Sequence, residues 1–140
     1  MKKDVGKAFA YFLDAANGNY PEAQYNVGFS YREGNGVEQD YQKAVEWFLK
    51  AARNGDEAAK RDLGYCYFYG QGVFEDKITA VKWYRKAAKA GDNKAQYNLA
   101  LCYAESEGVT KSQQWEKYWL GRAAEQGHIE AKKLLRQIEK

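Results

Sequence analysis

The side chains in this sequence that could act as base, nucleophile or soft metal ligand are few: one histidine, His128, two cysteines, Cys66 and Cys102, and three serines, Ser30, Ser106 and Ser112. A serine acyl-transfer site of the Ser-x-x-Lys type needs a lysine one helical turn on, beside the hydroxyl that it deprotonates. Glu33, Val109 and Trp115 hold those places instead. A zinc site needs three or four ligands, and His128, in the turn EQGHIEA, has no second histidine to join it and reads as a surface side chain. The glycine-rich stretches GNGV and GQGV lack the Lys-Ser or Lys-Thr ending of a phosphate-binding loop. This inventory describes no enzyme and calls for no cofactor and no metal. Function must therefore lie in the elements that carry these residues.

Composition bounds those elements. With 140 residues, 45% of them hydrophobic and 16% aromatic, the chain can bury a core as one domain without staples. One proline against 13 glycines suits helices punctuated by glycine turns. No apolar run approaches a membrane span, and the charge-broken opening MKKDVGKAFAYFLDAANG makes a poor secretory leader. The expectation is a cytoplasmic chain, or a periplasmic or secreted one if a leader has been removed. The net charge is +3, with the basic residues concentrated at Lys77, Lys82, Arg85, Lys86 and Lys89. These share a helix with an apolar stripe and fall on its outer side, which is a solvated face and not a nucleic-acid surface.

The dominant signal is repetition. Trp47, Trp83 and Trp119 recur every 36 residues, with Tyr11 in the preceding slot, and Gly36, Gly72 and Gly108 keep the same spacing. A fixed period between about 20 and 50 residues marks a solenoid, whose units bury their apolar faces only by stacking on their neighbours. Within a unit, Ala23, Val27 and Tyr31 follow helical spacing, and Gly28, Gly64 and Ala100 flank that arc, where a missing side chain lets a neighbouring helix approach. A second helix starts after Asp40 or Asp76, presents Ala44, Val45, Trp47, Phe48, Ala51 and Ala52, and stops at Gly55 or Gly91. Each repeat encodes a helical hairpin.

The combination of AQYNxG, GxGV and D-x-x-x-A-V-x-W-aromatic-x-K-A-A-x-x-G resembles the Sel-like repeat family, which is similar to tetratricopeptide repeats. The resemblance implies an all-α, right-handed α-solenoid of about eight helices: a half-repeat at 4–20, repeats at 21–56, 57–92 and 93–128, and a C-terminal capping helix at 129–140. Asp4, Lys7, Ala8 and Tyr11 match Asp40, Lys43, Ala44 and Trp47, so the chain opens on a second helix. Either it is cut from a longer array or its two end helices act as caps, and the charges of AKKLLRQIEK favour a C-terminal cap.

Two departures stand out. In SQQWEKYWLGRAA, Glu116 and Lys117 replace the Ala-Val pair of the other repeats, so this helix is expected to rotate and bury Trp115, Tyr118 and Trp119 instead. Trp115 can also be read as an exposed anchor for a partner. In AANGNYPEAQ the glycine comes one residue early, at Gly18, and a different turn is expected. Cys66 and Cys102 occupy one repeat position on successive first helices, whose axes lie about 8–10 Å apart. That is too far for a disulfide, which wants Cα atoms within about 7 Å. They read as reduced, buried thiols, unlike those of the family's cysteine-rich members.

The resemblance further implies a protein-interaction module, with first helices lining a concave groove. Tyr25, Asn26, Phe29 and Arg32 would face it from the first repeat, Arg61, Asp62, Tyr65, Phe68 and Tyr69 from the second, and Tyr97, Asn98 and Leu101 from the third. Aromatic anchors edged with Asn, Asp and Arg suit an extended peptide or a partner helix. Tyr25, Tyr65 and Tyr97 could instead fill gaps between repeats. Among family roles, an adaptor fits first, a bacterial immunity protein neutralising a toxin second, and a β-lactam-binding protein last.

Overall fold

The computed structural model describes the backbone from residue 2 to residue 140 and the side chains from residue 5 onward. Eight helices follow one another among the described residues, joined by short turns: α1 (Lys2–Asn17), α2 (Pro21–Glu33), α3 (Tyr41–Arg53), α4 (Glu57–Tyr69), α5 (Lys77–Lys89), α6 (Asn93–Glu105), α7 (Gln113–Glu125) and α8 (Ile129–Glu139). Each packs chiefly on the helices beside it in the chain, as in a helical repeat fold. Helix starts are set by side-chain caps. Asp40, Asp56, Asp76, Asp92 and Ser112 each accept a hydrogen bond from the backbone N–H three residues on, satisfying one donor that the helix itself leaves orphaned. The side chain of Asp4, aligned with Asp40 by the repeat, lies outside the described residues.

Within each hairpin the two helices interlock at a single pair of positions. A Cβ added at Gly28 would stand 2.7 Å from the Phe48 ring, and one at Gly64 would stand 2.5 Å from the Tyr84 ring. Phe48 and Tyr84 are 0% and 3% exposed. In the third hairpin the same positions hold Ala100 and Leu120, both fully buried: where the first helix gains a methyl group, the second gives up a ring. A second contact stacks one hairpin on the next. Gly36, Gly72 and Gly108 adopt φ of 75°, 79° and 72°, and a Cβ there would overlap the carbonyls of Val5, Tyr41 and Lys77 at the start of the preceding second helix. Those loops need glycine for both their backbone conformation and their closeness.

Polar bonds pin the register of two of these joints. Gln24 donates from Nε2 to the Ala16 carbonyl and accepts from Asn54 Nδ2, at 3.3 and 2.9 Å. Gln96 donates to the Ala88 carbonyl and accepts from Gln126, at 3.0 and 2.8 Å. The intervening joint has Lys60 and Ala90 at the equivalent places and lacks this relay.

Three expectations are corrected. Trp47 and Trp83 are only half-buried, because Phe48 and Tyr84 already fill the interlock; Lys50 and Lys86 lie over their outer faces at 4.1 and 4.7 Å. In α7, Trp119 is buried, but Trp115 and Tyr118 remain 46% and 45% exposed. Leu120 is fully buried at the interlock position of Phe48 and Tyr84, and Glu116 is half-buried where Ala44 and Ala80 are buried. The turn after α1 keeps the left-handed residue at position 19, where Asn19 adopts φ of 67° in place of glycine. Asparagine tolerates that region better than most residues, so the shifted Gly18 changes the sequence and not the path.

Adding a methyl group at the interlock should be costly. Gly64→Ala is expected to lower stability by about 1–3 kcal/mol in denaturant titrations. The pair Gly64→Ala with Tyr84→Leu, which copies the third hairpin, should recover most of that loss, and additive losses would show that the two positions do not share one contact.

Candidate functional site

The first helices carry their expected outward side chains on one face, but the structure gives these residues unequal duties. Tyr25, half-buried, donates its hydroxyl proton to Asp62 Oδ2 at 2.8 Å across the joint between repeats. Burial, with the Asp62 carboxylate beside it, pushes that hydroxyl up to about 12. Asp62 is 7% exposed and also meets Arg32 at 3.4 Å and Arg61 at 3.3 Å. Both carboxylate oxygens of Asp62 are thus engaged within the fold. Arg61 continues the chain to Asp92, at 2.9 Å. In the last joint Tyr97 stacks on His128 at 4.5 Å, while His128 Nδ1 caps α8 by accepting from the Ala131 N–H. His128 is thus half-buried and structural, where the turn sequence alone suggested a surface residue. Positions 25, 61 and 97 close three joints with three chemistries: a phenol on a carboxylate, a guanidinium on a carboxylate, and a ring on a ring.

What these joints leave open is aromatic. Phe29 is 36% exposed, Tyr65 43% and Tyr69 61%. They line a series of surface depressions. Asn26 and Phe29 border one with Phe9 and Phe12 of α1. Arg32, Asp62 and Tyr65 border the next, joined by the loop residues Gln39 and Gln71 and by Tyr41 at the start of α3. Arg61, Tyr65, Tyr97 and Asn98 meet His128 and Glu130 in another. Phe68, Tyr69, Asn98 and Leu101 form a small cavity of about 210 Å³ with Tyr84, Glu105 and Glu107. The sequence reading missed the contributors from loops and second helices, Gln39, Tyr41, Gln71, Tyr84 and Glu107, because helical periodicity carries no information about residues outside its own helix.

Cys66 and Cys102 are free and buried, and burial pushes their thiols up to about 12 and about 11, so neither is a poised nucleophile. Among the described residues no group of His, Cys, Asp and Glu is placed to hold a metal ion, and no helix is long and apolar enough to cross a membrane.

Comparison with known proteins gives a consistent result. The model of the Sel1 repeat matches residues 1–20, 21–56, 58–92 and 93–128. A Sel1 repeat protein from Oxalobacter formigenes superposes with a TM-score of 0.87 at 36% identity, over 96% of this chain and 54% of its own. The protective antigen c5321 of uropathogenic Escherichia coli, described as displaying an SLR fold, gives 0.90 at 40% identity over 92% of this chain and 28% of its own. The chain thus spans about half the length of the first and little more than a quarter of the second. Cysteine-rich protein B of Helicobacter pylori shares the fold, with a TM-score of 0.76 at 24% identity over 96% of this chain and 97% of its own. No curated protein matches the chain.

Two outcomes are expected. Asp62→Ala leaves the Tyr25 hydroxyl without its acceptor and takes one carboxylate partner from each of Arg32 and Arg61, and should lower stability by about 1–3 kcal/mol in thermal or chemical denaturation. The native protein should give almost no reaction with a thiol reagent at mildly alkaline pH, and both thiols should react once it is unfolded. Rapid labelling of the folded chain would contradict the burial of Cys66 and Cys102.

Proposed function

Because the chain belongs to the Sel1 repeat family, a fold of protein–protein interaction modules, we propose that it is a non-catalytic adaptor that binds an extended peptide or a partner's helix along the face of its first helices. The observation that carries this reading is the exposure of Phe29, Tyr65 and Tyr69 on that face. The hairpin interlock is complete without them, being filled by Phe48, Tyr84 and Leu120, so these rings hold no core together. Rigid, half-desolvated aromatics are the side chains that concentrate binding energy at interfaces. The depressions between them succeed one another along the repeats, which suits an elongated ligand better than a compact one. Asn26 and Asn98, each half-buried at a wall, offer both a donor and an acceptor to a passing backbone.

Tyr25, Arg32, Arg61, Asp62 and Tyr97 support this face by joining the repeats beneath it, while Phe29, Tyr65, Phe68, Tyr69 and Leu101 supply the contact surface. The two buried free thiols fit a reducing compartment such as the cytoplasm.

A pull-down followed by mass spectrometry should identify a partner, whose affinity for the purified chain is then measured. Phe29→Ala and Tyr65→Ala should each weaken binding by about 2 kcal/mol, close to 30-fold, with helicity and melting temperature nearly unchanged. Lys82→Glu and Lys86→Glu, on the outer side of α5, should change the binding free energy by no more than a few tenths of a kcal/mol. The reverse pattern would move the partner to the second-helix face.

A further inference from the structure

The repeat allows one depression to be compared with its own equivalent 36 residues earlier. Between α2 and α4 the space is furnished with a cation from the chain itself. The Arg32 guanidinium lies 5.1 Å from the Phe29 ring and 5.6 Å from the Phe48 ring, and pairs with Glu33 and Asp62 at 3.1 and 3.4 Å. Between α4 and α6 the aromatic floor is kept, while the cation and both of its carboxylate partners are replaced by uncharged side chains. Tyr84 stands for Phe48 as the floor, Phe68 replaces Arg32, Tyr69 replaces Glu33 and Asn98 replaces Asp62. The result is an apolar cavity of about 210 Å³ floored by Phe68, Tyr84 and Leu101. That volume is below the roughly 300–1,000 Å³ of ligand pockets, and suits a single side chain.

The carboxylates lost from the wall reappear at the rim. Glu105 and Glu107 both border the cavity. Glu107 is paired with Lys77 at 2.8 Å, and Lys77 Nζ sits 5.0 Å from the Phe68 ring, so an ammonium is already held at this edge by one carboxylate and one aromatic face. Glu105 is exposed and makes no salt bridge among the described residues, which leaves the rim with one negative charge in excess. An acidic side chain would be repelled by that charge, and a purely aliphatic one would leave it unanswered. A guanidinium answers both features, because its plane stacks on rings and its fork matches a carboxylate.

We infer that the cavity between α4 and α6 is a specificity pocket for an arginine side chain of a bound peptide, its stem over Phe68 and Leu101 and its guanidinium between Tyr84 and Glu105. This inference rests on the peptide-binding reading of the first-helix face and names the residue that the face selects. The arrangement Arg32 makes internally is the one the partner completes one repeat later.

The test is selection of random dodecapeptides displayed on phage against the purified chain. Enriched sequences should share one arginine at a constant distance from an aromatic or aliphatic residue. Replacing that arginine by glutamine in a synthetic peptide should weaken binding at least about tenfold. In the E105Q/E107Q double variant, with helicity checked by circular dichroism, the same replacement should cost less than about twofold, since the partner charge is gone. Enriched peptides without a conserved arginine, or an arginine preference undiminished in E105Q/E107Q, would overturn the pocket while leaving the groove standing if Phe29→Ala and Tyr65→Ala still weaken binding about 30-fold. Peptides insensitive to Phe29→Ala and Tyr65→Ala, or no enrichment at all, would overturn both.

Discussion

The structure depends on how closely two helices can approach at one point. Gly28 against Phe48 and Gly64 against Tyr84 put a ring against bare backbone, and the third hairpin buries Ala100 and Leu120 at the same two positions, with one methyl group more on one side and a smaller side chain on the other. An internal glycine costs a helix about 1 kcal/mol in propensity relative to alanine. Full burial of an aromatic side chain returns more than that, on the order of 1.5–3 kcal/mol. Holding the sum of two volumes constant keeps the hairpin angle constant, and a constant angle lets similar units stack without accumulating error.

Stacking is then secured twice over. The left-handed glycines of the three loops rest on carbonyls at the start of the preceding second helix, which leaves no room for any side chain there. At two joints a buried glutamine ties the end of one second helix to the next. A buried amide left unpaired costs roughly 1–3 kcal/mol, so each relay excludes slipped registers more strongly than it favours the correct one. The middle joint has no such relay and relies on apolar contact and on the Tyr25, Arg32, Arg61 and Asp62 cluster at its edge. Function and stability therefore meet at that cluster: charges that read as ligand-binding in isolation hold the scaffold that presents the rings.

With the core confined to the interlock and the second-helix stripe, the first-helix face is free to vary. The same frame supports a polar depression lined by Arg32 and Asp62 in one repeat and a smaller, more apolar, acid-rimmed one in the next. Phe68 for Arg32, Tyr69 for Glu33 and Asn98 for Asp62 exchange charged groove positions for uncharged ones without touching the Gly–aromatic interlock.

The fold was legible from the sequence because its determinants are local and periodic. Asp40 and Asp76 at helix starts, glycines after helix ends, alanines on one arc and a 36-residue recurrence each state a constraint within a few residues of themselves. The face carrying Phe29, Tyr65, Phe68 and Leu101 followed from the same periodicity. What periodicity could not decide was which of two adjacent aromatics, Trp47 or Phe48, fills the interlock, since both lie on the same side of the wheel and only the opposing glycine distinguishes them. Nor could it show that Trp115 stays 46% exposed while Leu120 is fully buried, or that Asp62 is already engaged by Tyr25 and Arg32. The contacts that decide these points join residues about 20 to 40 positions apart, and it is distance in space, not order along the chain, that determines which group meets which.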